Sequence, residues 1–229
     1  MNEMKKQISD SIICGIILAL SGGSMDAYSY LFRGHVFANA QTGNIILLGV
    51  NLAEGDITTA LRYLWPVLAF VAGIVLSDII SATRNSINVH LRQISVLIEA
   101  ALLSIVAFVP GSTDFVANAI ISFACGIQVE SFRTIRGNSI ATTMCIGNLR
   151  SGVYNLDKYL FTKENSFLYK SLIYFGVILS FVIGAIIEGK LIQAFGNYAI
   201  LFSSVLLIIA MMLMFGRTSG ENGDTYIEG

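Results

Sequence analysis

Residues 21–49, SGGSMDAYSYLFRGHVFANAQTGNIILLG, decide how the rest of the chain is read. They begin inside an apolar run, carry an acid, Asp26, into it, break at Arg33-Gly34-His35 and resume at Gln41-Thr42-Gly43-Asn44. A looser copy, CGIQVESFRTIRGNSIATTMCIGNLRSG, occupies residues 125–152. Gly22, Asp26 and Asn44 recur 104 positions later as Gly126, Glu130 and Asn148. Two polar, glycine-broken apolar segments at matching places in two halves point to a transporter-type site near the middle of a membrane.

Composition sets the solvent. Of 229 residues, 55% are hydrophobic and 13% charged, with a mean hydropathy of +0.71. A soluble domain carries about 25% charged residues, so the expected partner is the lipid bilayer. A net charge of −1 supplies no basic field, which argues against nucleic acid. Cys14, Cys125 and Cys145 lie in or near apolar runs without CxxC or Cys/His spacing, so they read as buried thiols rather than disulfides or a metal site. No HExxH, GxSxG, P-loop or nucleotide fingerprint occurs. The expectation is no enzyme, no catalytic residue, no cofactor and no metal.

A spanning helix needs about 20 mostly apolar residues. Six segments qualify, at 11–31, 62–83, 94–109, 114–132, 168–188 and 197–215. The first resembles a signal peptide behind Lys5 and Lys6, but its end belongs to the repeated motif, so it reads as an uncleaved helix. Segments 38–53 and 139–156 are shorter and more polar, and hold the two Gly-Asn motifs. They are broken or re-entrant pieces, or a seventh and eighth helix. Cytoplasmic loops are enriched in Lys and Arg. With both termini cytoplasmic, six crossings put 11 of the 14 basic residues inside, and eight crossings put 8 inside. Six fits better. The chain therefore reads as an all-α integral, multi-pass protein of the cell (inner or plasma) membrane with a two-fold internal repeat. The first half is 1–110, the second 111–217, and 218–229 is a disordered acidic tail. Three crossings per half would make the repeat inverted.

Small residues recur at helical spacing in Ala69, Gly73, Ser77, Ser81 and in Gly176, Ser180, Gly184. They read as a tight seam between the halves, with a homo-oligomer face as the alternative.

Asp26 is the leading functional residue. An acid at the centre of a span costs about 2.5–3.5 kcal/mol on insertion scales. Such a group faces a bundle interior or a water-filled cavity. Gly22 and Tyr30 lie one turn either side, giving room and a hydroxyl. The structural alternative is an acid satisfied by Arg33 that fixes the break. Glu130 repeats the position but has Arg133 and Thr134 nearby, which favours a structural pair. Thr42 or Asn44 can cap a helix starting at Gln41, whose positive end suits an anionic or carboxylate-bearing solute. Capping alone is the equal alternative. In the second copy Ile146 replaces Thr42 while Gly147 and Asn148 remain, so the site is weighted to the first half. Asp78, Glu99 and Glu188 lie near run ends and read as structural. His35 beside the break reads as a loop residue.

The motif Gly22-x-x-x-Asp26-Ala27-x-Ser29-Tyr30, with Val36-Phe37, Thr42-Gly43-Asn44 and Leu47-Leu48-Gly49, resembles the YoaK-type family of uncharacterised bacterial transmembrane proteins. The likeness extends to Gly126, Gln128, Phe132, Gly137 and Gly147-Asn148-Leu149. It implies an integral membrane protein of about six helices and supplies no substrate. The residues themselves favour a secondary transporter or permease for a small solute. Its binding site would be Asp26, Tyr30, Gln41, Thr42, Asn44, Glu130 and Asn148, with Asp26 and Glu130 coupling protons or cations. A channel and a non-transporting scaffold or sensor are the alternatives.

Overall fold

A computed structural model describes residues 12–83, 89–133 and 142–215. The basic N-terminus, Thr134, Arg136-Gly137 and the acidic tail lie outside the described residues. The described chain is helical throughout: α1 Ile12–Phe32, α2 Gln41–Ala53, α3 Ile57–Thr83, α4 Val89–Val106, α5 Asp114–Ser131, α6 Cys145–Thr162, α7 Asn165–Phe195 and α8 Leu201–Phe215. Each segment expected from the sequence overlaps a helix, and the two Gly-Asn motifs open α2 and α6.

Four stretches are long and apolar enough to cross a membrane. They are Ile12–Phe32, Ile57–Ala82, Gly111–Ser131 and Asn165–Met214, the last of 50 residues and taking in both α7 and α8. With every backbone group bonded inside its own helix, such stretches suit hydrocarbon. On α3, Leu68, Val71, Val75 and Ile79 form an exposed apolar stripe, the face that meets lipid. This is a multi-pass membrane protein.

Helix α1 packs along α7, and α3 packs along α5. Helix α2 folds back on α3, and α6 on α7. Helix α4 packs on α5 and α8, and α8 also on α1. Glycines set the two long seams. A Cβ on Gly23 would overlap the carbonyl oxygen of Phe181, and one on Gly184 that of Leu20. Across the other seam, a Cβ on Gly73 would strike the Phe123 carbonyl and one on Gly126 the Phe70 carbonyl. Lipid provides no hydrophobic push between helices, so close backbone approach supplies the dispersion energy that holds them. Ser77 Oγ lies 3.1 Å from Ser131 Oγ, which donates to Ser95 Oγ at 2.8 Å. From the small-residue stripes, Gly73, Ser77 and Gly184 thus serve packing between helices of the chain, whereas a Cβ on Gly176 would meet open space.

The turn into α3 is built locally. Asp56 accepts the Thr59 N–H at 2.9 Å and the Thr59 hydroxyl at 2.6 Å. These bonds hold its carboxyl below the usual carboxylate range.

Candidate functional site

After α1 the chain reverses. Gly34 and His35 both adopt positive φ, 84° and 61°, a region that costs a non-glycine residue strain. Residues 36–40 then run back along α1. Asp26 Oδ1 accepts the Asn39 N–H at 2.7 Å, and the amides of Ala38 and Ala40 also face the carboxylate. Asn39 Nδ2 donates to the Gly22 carbonyl at 3.1 Å. The break is thus moored to α1 at Gly22 and Asp26.

Asn44 shapes the same break. Its Oδ1 accepts the Phe37 N–H at 3.0 Å, and its Nδ2 donates to Phe37 O at 2.7 Å and Gln41 Oε1 at 2.9 Å. Gln41 Nε2 donates to Ala38 O at 2.7 Å. This corrects the capping expectation. The residue before α2 is Ala40, no side chain caps the helix, and Thr42 is exposed. Asn44 reaches backwards because its position inside the first turn faces the returning strand. Tyr30 is 39% exposed and stacks on Phe37 with ring centroids 4.8 Å apart. It flanks the break instead of facing the Asp26 carboxylate.

The second break arrives at the same glycine. A Cβ on Gly22 would come to 3.3 Å from both the Thr142 carbonyl oxygen and Thr143 Cγ2. Gln128 accepts the Thr142 hydroxyl at 3.0 Å and donates to Glu99, at 2.5 Å to Oε1 and 3.2 Å to Oε2, with its amide oriented to satisfy both partners. Glu99 is fully buried, which corrects its reading as a residue at a run end. Cys125 lies beside Asn39 and 3.8 Å from Met25 Sδ. Two side-chain oxygens here, Asn39 Oδ1 and Thr143 Oγ1, are buried without a hydrogen-bond partner. Buried polar atoms are paired in the great majority of cases. Helix α6, like α2, starts without a side-chain cap, after Met144.

Glu130 is buried but pairs with Arg133, which also approaches Asp78 at 4.0 Å. Among the described residues no hydrogen bond or ion pair joins it to the group around Asp26. Asn148 is buried in the first turn of α6. The structure thus gathers Asp26, Gln41 and Asn44 on one break, with Tyr30 and the exposed Thr42 flanking it, and leaves Glu130 with Arg133 outside that group.

Arg33 does not satisfy Asp26. It is fully buried and pairs with Asp114 at 3.0 Å. It also donates to the Tyr28 hydroxyl at 2.9 and 3.1 Å, to Val106 O at 3.2 Å, to Val109 O at 3.0 Å and to Asn197 Oδ1. This node ties the end of α1 to the α4–α5 and α7–α8 turns. Beside it opens a cavity of about 390 Å³ lined by Arg33, Arg62, Trp65, Asp114 and Asn118 among others. The sequence reading missed Asn39, Gln128, Thr142 and this node. Asn39 follows a break and could have been found. Arg33 counts as a loop cation in any charge rule.

Fold and site together define a multi-pass helical membrane protein whose two broken segments meet inside the bundle. The chain belongs to the family described as Protein of unknown function (DUF1275), whose model matches residues 14–213. It is similar to the UPF0700 transmembrane protein YoaK of Bacillus subtilis (strain 168), with 27% identity over 212 residues, covering 90% of this chain and 94% of that one. No solved structure matches.

Proposed function

We propose that the chain is a secondary transporter, or permease, for a small anionic or carboxylate-bearing solute in the plasma membrane. The observation that carries this reading is the convergence of both breaks on Gly22, with Asn39 Oδ1 and Thr143 Oγ1 buried and unpaired beside it. Two helices begin there without side-chain caps; the Asp26 carboxylate already faces the amides leading into α2, so the positive end of α6 is the one left to attract an anion. Asp26 is the coupling residue for protons or cations. Glu130, tied to Arg133, fits a structural pair better.

Six crossings and an inverted repeat are part of the proposal. Helix α2 starts beside Asp26, two turns inside the Arg33 end of α1. It ends at the turn into α3, whose Thr58, Leu61 and Arg62 line a cavity with Arg33. It thus returns to the side from which its break entered. Exchanging α1–α4 for α5–α8 preserves the main helix pairings: α1–α7 maps onto α5–α3, α2–α3 onto α6–α7, α4–α5 onto α8–α1, and α4–α8 onto itself. That exchange supports halves divided near residue 110; the placement of both termini in the cytoplasm rests on the distribution of Lys and Arg.

A scaffold reading has one observation in its favour: Asn44 and Gln41 spend their amides on the break itself. A thermal-shift screen of the purified protein against inorganic anions, carboxylates and amino acids separates the two, because a ligand that binds the native state raises its stability with concentration. A hit followed by uptake into liposomes supports transport. No shift across the panel and no flux supports the scaffold.

A further inference from the structure

We propose that Glu188, Ser24, Ser203 and Ser21, enclosed by α1, α7 and α8, form a sodium-binding site. Glu188 is fully buried. Ser203 Oγ donates to Ser24 Oγ at 2.8 Å, and Ser24 Oγ donates to Glu188 Oε2 at 2.6 Å. Ser203 Oγ also approaches the Ser21 carbonyl oxygen at 3.5 Å. Two oxygens in this group have no hydrogen-bond partner. They are Glu188 Oε1 and Ser21 Oγ, the latter one turn before Ser24 on the same face of α1.

The donor set is oxygen only: a carboxylate, hydroxyls and a helix carbonyl. Hard cations take such ligands. The single negative charge selects a monovalent ion, because a divalent one would leave net charge inside the bundle, where charge is costly. Among the described residues no hydrogen bond or ion pair joins a protein cation to Glu188. Among the described residues, ion pairs join Arg33 to Asp114, and Arg133 to Asp78 and Glu130. Lys190 on α7 is exposed, and α8 carries no charged residue. Arg33, further along α1, is committed to its own node.

Helix adhesion does not account for the acid. The α3–α5–α4 seam has a comparable chain in which Ser77, Ser131 and Ser95 are linked hydroxyl to hydroxyl. Hydroxyl links thus suffice to tie one helix to the next there. The Glu188 carboxyl brings an oxygen that no such link uses, since Oε1 has no hydrogen-bond partner. The site stands independently of the solute reading, because its ligand is an ion and its test is binding.

The test uses the purified full-length protein in detergent, with radiolabelled sodium in a scintillation-proximity assay. Melting curves are recorded in sodium chloride and in choline chloride at equal ionic strength. The expected result is saturable binding displaced by unlabelled sodium and not by choline. Tm should rise by about 5 °C at roughly a hundredfold excess over Kd. Both effects should vanish in Glu188→Gln and persist in Ser131→Ala, which loosens the all-serine seam. Ser203→Ala, a milder change, should weaken sodium binding by about tenfold or more. Absence of saturable binding by the wild-type protein overturns the proposal. So does an identical Tm in the two salts, or wild-type sodium affinity in Glu188→Gln or Ser203→Ala.

Discussion

The Asp26 carboxylate accepts the backbone N–H of Asn39 at 2.7 Å, across thirteen residues that include a complete reversal of the chain. The bond fixes the depth at which α2 begins, since Asn39 immediately precedes the Ala40 that opens that helix. It separates two roles of one residue. Asp26→Ala removes the acceptor and leaves a buried N–H unpaired, at a cost of about 1–3 kcal/mol. Asp26→Asn keeps one acceptor oxygen for the Asn39 N–H but exchanges the other carboxylate oxygen for an amide donor among the amides of Ala38 and Ala40. Melting curves should therefore show a smaller fall for the asparagine variant than for the alanine variant. Coupled uptake of any solute found by the screen should be lost in both.

The glycine seams make a sharper stability prediction. Gly184→Ala and Gly73→Ala each drive a Cβ into a backbone carbonyl on the facing helix. Backbone cannot swing aside as a side chain can, so each should cost at least about 2 kcal/mol, as overpacking of tight interfaces does. Gly176→Ala, where a Cβ meets nothing within 4 Å, should stay within about 0.5 kcal/mol of wild type. Equal Tm values for all three would contradict the seam geometry.

Arg33 predicts an asymmetry between the partners of one ion pair. Its guanidinium is fully buried, whereas the Asp114 side chain is 34% exposed. Arg33→Lys loses the planar fork that serves Tyr28, Asn197 and two carbonyls, and should destabilise by roughly 2–4 kcal/mol. Asp114→Asn leaves those other acceptors in place and should cost less. Unfolding measured by thermal scan of the three proteins checks the order.

Topology is testable with two positions at helix turns. With six crossings and a cytoplasmic N-terminus, position 54 faces outside and position 164 inside. With eight, both face inside. Single cysteines at Glu54 and Glu164, introduced after replacing Cys14, Cys125 and Cys145, should label with an impermeant reagent from opposite sides of the membrane. Labelling of both from the same side would favour eight crossings.

Much of the helical architecture was legible because apolar run length and glycine breaks are local signals. Each of the eight expected segments overlaps one of α1–α8. Asp26 was legible for the same reason, as an acid within an apolar run. Glu99 and Glu188 were not, because their distance from run ends says nothing about whether a neighbouring helix covers them. Arg33 misled the reading for a related reason. It lies beside a glycine break, yet it is enclosed by the α4–α5 and α7–α8 turns, contacts separated by more than seventy residues. The Asn44 side chain was expected to cap forwards. Its backward bond to Phe37 depends on the path of the returning strand, which the motif does not encode.

The central claim is that the two breaks line a common water-reachable cleft at Gly22. Its most direct measurement is thiol labelling of single cysteines at Asn39 and Thr143, in a background lacking the native cysteines, with a membrane-impermeant reagent applied to right-side-out and inside-out vesicles. The account predicts that both positions react in intact vesicles, and that a bound solute slows both reactions. Positions that stay unmodified from either side, yet react fully once the protein is denatured, would contradict it.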